Sequence, residues 1–426
     1  MDNLVKTISL TIAGAMLSLS VCSAQDSFKA RMAREPELAT AHYLLYPAPA
    51  EKLTPSPKGY RPFYLSHYGR HGSRWLIGPT VYSRPCGLMH SEDEAGNLTA
   101  LGREVMAKLD EVVAVSAGRT DELTEKGHQQ HREIAERMYR NFPEIFGKDA
   151  EVEAHATIII RCILSMMSAT NELSSLNPKL RITTDASNHD MYYMNWSDSK
   201  GQIKASPSYK DASDVRNAFV ERHFHPERVL SALFKDPSGI DPDFYNQLIE
   251  IAMSLQGTPC NVDLLGHFNE QELYDRYCIM NAKWYLGSAN SPANGNVSMY
   301  SQTNLLRNFI EEADKAISEV KPSADLRYGH DSAILPLVAL MQIGDCGLST
   351  DDLEALTDRW NACDITPMAS NLQLVFYRNR KADVLVKILF QEKEMTLPIE
   401  AVTGPYYRWS DVKAFWNGIL AKSPVK

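Results

Sequence analysis

Runs of positive charge are missing from this chain. Its 426 residues include 53 acidic and 44 basic ones, for a formal net charge of −9. Nucleic-acid binders usually carry a basic stripe or domain, so no nucleic-acid partner is expected. Long apolar runs are equally scarce. Only Ile8–Val21 stands out, and it is too short to cross a bilayer comfortably. Lys6 precedes it and Cys22-Ser23-Ala24 follows, the pattern of an export signal cleaved after Ala24. Residues 1–24 are therefore expected to be a signal peptide, and the mature chain to be periplasmic or secreted. Acylation at Cys22 is the rival reading, and Val21 directly before the cysteine fits it poorly. No C-x-x-C pair exists, which argues against a cysteine zinc site. Cys86, Cys162, Cys260, Cys278, Cys346 and Cys363 are compatible with three disulfides or with buried free thiols. Internal repeats and low-complexity tracts are absent.

What is present is an alternation of strand-like and helix-like segments. Residues 26–60 are broken by Pro47, Pro49, Pro55 and Pro57. The aromatic-rich Arg61–Tyr68 reads as a strand, and residues 97–117 have helical spacing. Thr124 is placed to cap a second helix running to about Phe142. The run His155–Ile160, with three consecutive isoleucines, predicts a strand buried on both faces. Leu180–Thr184 and Leu326–Gly329 predict two more, the latter followed by an apolar helix from Ile334 to Met341. Leu372–Tyr377 and Val384–Phe390 flank Asn379-Arg380-Lys381 as a hairpin, and Ser410 is placed to cap a last helix. Residues 186–320 lose the strand signal. The expected organisation is an α/β core from 25–185 and 321–426, with 186–320 as a mostly helical inserted cap.

Three predicted strands end directly on an arginine or histidine: Arg70-His71-Gly72-Ser73-Arg74, Arg161, and His330-Asp331. Ligands of open α/β sheets bind at the carboxyl ends of strands, so these residues can meet although far apart in sequence. Their types suit phosphoryl transfer. Arginine forks match phosphate oxygens two at a time, and three of them with a histidine offset the charge of the transition state. A neutral imidazole attacks phosphorus, and a carboxylic acid protonates the leaving alkoxide. His71 is the candidate nucleophile and Asp331 the candidate proton donor. Arg70, Arg74, Arg161 and His330 are candidate phosphate ligands. Gly72 is read as leaving space beside the imidazole. The dipeptide recurs at His189-Asp190, but in a polar stretch.

The motif R-H-G-x-R, the helix opening at 122–127, Arg161 with Ser165, the H-D pair and the closing hairpin resemble the histidine phosphatase superfamily. Within it, the chain is similar to the acid phosphatase branch of phytases, glucose-1-phosphatases and multiple inositol polyphosphate phosphatases. The resemblance spans roughly residues 60–395. It implies a doubly wound, phosphoglycerate-mutase-like sheet with a helical cap, the roles given above, and no metal or organic cofactor. The substrate implied is a small phosphomonoester: an inositol polyphosphate, or else a sugar phosphate of the glucose-1-phosphate type. H-D-S at 330–332 departs from the H-A-E pattern usual in the inositol polyphosphatases. A phosphoglycerate-mutase-like enzyme and a binding protein without turnover are the rivals, and the intact His71 and Asp331 weigh against the latter.

The remaining candidates have plainer readings. His128 and His131 are expected to be exposed or capping, and His223 and His225 to be a solvated loop pair. Lys283 is a candidate cap contact to an anionic substrate, while Trp284 suits core. Glu311, Glu312 and Asp314 read as a solvated helix face.

Overall fold

The aromatic run after residue 60 is extended backbone from Arg61 to Arg70, strand β1. In this computed structural model, residues 27–147, 149–194, 197–319, 321 and 323–424 are described. The expected signal peptide lies outside them. Seven further strands join β1: β2 (Glu151–Ala156), β3 (Arg181–Asp185), β4 (Ala324–Gly329), β5 (Asn371–Arg378), β6 (Val384–Phe390), β7 (Lys393–Glu394) and β8 (Tyr406–Arg408). The sheet order is β3-β2-β4-β1-β5-β6-β7, with β8 on β6. Pairing is parallel from β3 through β1 and antiparallel from β1 onward. This is the α/β class expected. The register sets Arg70 beside Gly329 and Ala156 beside Tyr328, so β1, β2 and β4 end at one level.

Helices cover both faces of the sheet. In the first part of the chain they are α1 (Phe28–Arg34), α2 (Ser83–Glu94), α3 (Ala100–Ser116), α4 (Glu125–Asn141) and α5 (Ile160–Leu176). Between β3 and β4 lie α6 (Met191–Met194), α7 (Ser197–Ala205), α8 (Ser213–His223), α9 (Glu227–Leu233), α10 (Asp243–Ser254), α11 (Glu270–Ser288) and α12 (Thr303–Glu319), with no strand among the described residues there. The rest are α13 (Asp331–Leu340), α14 (Ala362–Ile365) and α15 (Trp409–Leu420). On one face Ile134 and Met138 of α4 and Met166 and Leu173 of α5 pack on Leu65, Ala154 and Leu326. On the other, Phe309, Ile334 and Trp416 pack on Tyr64, Tyr68 and Phe376. A third cluster draws on no strand of the sheet and joins Phe28, Met89, Leu109, Leu248 and Tyr277.

Several local expectations are corrected. The isoleucine run is not a strand: β2 ends at Ala156, and Thr157 bonds the Tyr328 carbonyl (3.0 Å) before the chain leaves the sheet. Ile158, Ile159 and Ile160 are exposed, where a buried strand would hide them. The proline-rich N-terminal stretch contains α1 and a 3-10 turn from Pro36 to Tyr43, which the prolines further on obscured. The last helix begins at Trp409, so Ser410 sits inside its first turn, where its hydroxyl bonds Asp411. His131 is buried against Tyr328, and His223 is tied to Asp275 and Glu354 (3.0 Å each) rather than solvated. Asp314 accepts from Trp409 Nε1 (2.8 Å) and pairs with Lys413. All six cysteines among the described residues are free thiols.

Candidate active site

Because β1 and β4 are parallel neighbours, the residue after each strand lies side by side. The His71 amide donates to the Gly329 carbonyl (2.9 Å), and the rings of His71 and His330 stand 5.8 Å apart, edge to face. Arg70, at the end of β1, is fully buried. Its Nη1 donates to the carbonyls of His42 (2.6 Å) and Thr366 (2.5 Å), and its Nη2 lies 2.8 Å from Asp331 Oδ2. Arg161 opens α5. One of its η nitrogens pairs with Asp121 and the other lies 3.4 Å from His330 Nδ1. Arg74 donates to the Trp75 carbonyl (2.9 Å) and lies over the Tyr43 ring. The Nε–H groups of Arg70, Arg74 and Arg161 are buried with no partner among the described residues. Buried donors without acceptors are rare, and here three belong to cations grouped around one imidazole. The six residues singled out from the motif and the strand ends thus come together.

The loop after β1 is held from behind by α4 and α5. The Gly72 amide donates to Ser165 Oγ (3.2 Å), whose hydroxyl donates to the Arg161 carbonyl (2.8 Å). The Ser73 amide donates to Gln130 Oε1 (2.9 Å). Thr124 caps α4, accepting from the Gly127 amide, as its spacing predicts. Gly72 and Gly127 lie in contact: a Cβ on Gly72 would sit 2.5 Å from the Gly127 carbonyl oxygen, and one on Gly127 2.3 Å from that of Ser73. The glycine of the motif is therefore required by this close packing, whatever space it leaves for a ligand.

Electrostatics define the protonation states. His71 Nδ1 lies 2.9 Å from the Gly72 carbonyl, which only accepts, so Nδ1 carries the proton and Nε2 keeps its lone pair. Burial, then the charges of Arg70, Arg74 and Arg161, hold His71 well below its ordinary value, so the imidazole is neutral. Burial and Arg161 lower His330 to about 4. Asp331 runs against expectation. Burial alone would raise it, but Arg70 and the other positive neighbours outweigh burial and hold it below the usual carboxylate range. Without substrate it is a carboxylate.

Two residues at this site escaped the sequence. His42 is buried beside Arg70, Asp331 and Arg74, and burial followed by Arg70 lowers its pKa. It follows Ala41, a buried residue in the left-handed region (φ 51°), a strained conformation of the kind that gathers at functional sites. Asp121, the partner of Arg161, is also left-handed (φ 70°). Neither lies in a motif or a periodic segment. Lys283 lines a cavity of about 260 Å3 together with Lys200, Lys204, Arg216 and Ser332, the residue after Asp331. Trp284 packs edge-on against His42 (5.5 Å). His189-Asp190 lies elsewhere, with Asp190 paired to His155 (3.0 Å).

The family profile described as histidine phosphatase superfamily (branch 2) matches residues 102–391. The chain belongs to that superfamily and is a phosphatase. Among solved structures it is similar to the Bifidobacterium longum multiple inositol polyphosphate phosphatase in complex with phosphate, with a TM-score of 0.76 and 15% identity over 89% of this chain and 97% of that one. The same protein has been solved with inositol hexasulfate. The phytase from D. castellii follows at 0.65 and 13% identity, covering 91% and 85%. A Hafnia alvei phytase with tartrate gives 0.52 and 14%, covering 87% and 100%. These likenesses establish the fold. No curated protein matches by sequence.

Proposed function

We propose that the chain is an exported acid phosphatase that hydrolyses phosphomonoesters through a phosphohistidine on His71, with inositol polyphosphates as its substrates. The observation that carries this reading is a buried, neutral imidazole, tied at Nδ1, where three arginines converge. In the first step Nε2 attacks phosphorus, the P–O bond to the alcohol breaks, and the leaving oxygen takes a proton from Asp331. In the second, water attacks phosphorus, its proton returns to Asp331, and the N–P bond breaks to release phosphate. Arg70, Arg74, Arg161 and His330 bind the equatorial oxygens.

Asp331 lacks its proton in the free site. A phosphomonoester monoanion brings one, and its charge beside Arg70 offsets the pull that keeps the carboxylate ionised. Acid conditions are favoured because phosphomonoesters lose that proton near a pKa of about 6. The cavity carrying Lys200, Lys204, Arg216 and Lys283 supports a substrate with several phosphates, and the helices between β3 and β4 act as the cap that supplies it. Residues 1–24 are the export signal in this reading. The test is phosphate release from phytate and from glucose-1-phosphate at pH 4–5, with labelled phosphate trapped on the protein by quenching in base. Release from phytate and label on the wild type, both lost in His71→Ala, are expected. An active or labelled His71→Ala overturns the assignment, and release from glucose-1-phosphate alone moves the substrate to sugar phosphates.

A further inference from the structure

The hairpin of α2 and α3 carries three side chains that no step of this reaction uses. Cys86 and His90 stand four residues apart on α2 and so share a face. Asp110, on α3, meets them across the hairpin. Its Oδ1 lies 3.2 Å from Cys86 Sγ and 2.7 Å from His90 Nε2. One ligand atom from each residue lies within 4.8 Å of the other two. In a tetrahedral zinc site, bonds of about 2.0–2.3 Å place neighbouring ligand atoms about 3.5 Å apart, so small side-chain movements suffice.

The contacts in the metal-free state point the same way. The thiol and the imidazole both donate to one carboxylate oxygen, and both protons are ones a metal replaces. Among the described residues Asp110 pairs with no lysine or arginine. A thiolate, a carboxylate and a neutral imidazole around a dication sum to zero charge. The other two groupings of potential ligands differ. Asp325, in one of them, is already held by Arg327 and Tyr64, and neither includes a thiol. Access also fits: the Cys86 residue is 6% exposed, while the side chains of His90 and Asp110 are 50% and 46% exposed, which leaves solvent room for a fourth ligand.

We infer that Cys86, His90 and Asp110 form a site for a divalent transition metal of the zinc type, with water in the fourth position. The mixed soft and borderline donors favour zinc over calcium or magnesium. The ion clips α2 to α3 within the helical cluster, so it supports the fold and takes no part in phosphate release.

Cobalt(II) titrated into the reduced full-length protein tests this. A thiolate-to-cobalt charge-transfer band saturating at one ion per chain is expected, lost in Cys86→Ser and weakened in His90→Gln. Both variants are expected to keep their phosphate release. Zinc is expected to displace the cobalt and to raise the melting temperature of the wild type but not of His90→Gln, whose exposed position makes misfolding no explanation. No band in the wild type, a band that persists in Cys86→Ser, or equal zinc stabilisation of wild type and His90→Gln overturns the inference.

Discussion

Two neighbouring cationic regions, the candidate site and the cavity that reaches it at Ser332, hold their charges by different means. The wall of Arg70 to Arg74 is buried and pinned: Arg70 bonds to Ser370, His71 to Gly329, Ser73 to Gln130 and Trp75 to Glu122 through the backbone amide. The wall that faces the helices between β3 and β4 offers Lys200, Lys204, Arg216 and Lys283, long side chains around an open cavity. Fixed guanidinium forks suit a single geometry, that of the phosphoryl group in transfer, and cost no reorganisation at the moment of reaction. Lysines on flexible stems suit phosphates whose positions differ from substrate to substrate. The first wall is expected to govern kcat and the second KM.

That division is open to attack at four points. Asp331→Asn keeps the shape of the first wall and removes the proton carrier. It is expected to lower kcat by about 10^2- to 10^4-fold for alkyl phosphates, and far less for an aryl phosphate whose leaving group needs no proton, read in steady-state assays. An equal loss for both substrates means the residue acts only by holding Arg70. Gly72→Ala forces a Cβ into the Gly127 carbonyl and is expected to cost about 1–3 kcal/mol in urea unfolding, with kcat falling alongside. Lys283→Ala belongs to the second wall: about a tenfold rise in KM for phytate with kcat nearly unchanged, and no change for a simple aryl phosphate, sharpens the comparison. A fall in kcat for both erases it. The pH profile gives the smallest effect. His71 is held below its ordinary value of 6.5, so its neutral form persists as pH falls through that value. Between pH 6 and 4.5, kcat/KM for an alkyl phosphate is then expected to rise by no more than about twofold, as the substrate gains its proton. A loss centred at pH 6.5 would show that the nucleophile is neither buried nor flanked by cations.

The pinned wall was the legible one. Arg70, His71 and Arg74 fall within five consecutive residues, and His330-Asp331 announces itself by following β4. Arg161, expected to follow a strand running to Ile160, is instead delivered by the first turn of α5, with four residues between it and the end of β2. The function of Gly127 was hidden, because its contact with Gly72 is between backbones and leaves no periodic trace. His42 directly follows a kink at Ala41 inside the 3-10 segment Pro36–Tyr43, and no local propensity predicts a histidine delivered that way. The isoleucines at 158–160 misled because a short apolar run reads alike whether it crosses the sheet or leaves it. The sign of the Asp331 shift was unreadable too, since it depends on Arg70 standing 2.8 Å away.

That same pair has a consequence for biosynthesis. Arg70 closes β1 and Asp331 opens α13 just beyond the neighbouring strand β4, yet about 260 residues separate them along the chain, and at ~5–20 residues per second the ribosome takes roughly 10–50 s to pass from one to the other. Through that interval the nascent chain holds the proposed nucleophile without Asp331 or His330. With His330 and Asp331 in the roles proposed, turnover is expected only after β4 has paired between β2 and β1, which would make activity a reporter of that pairing in refolding.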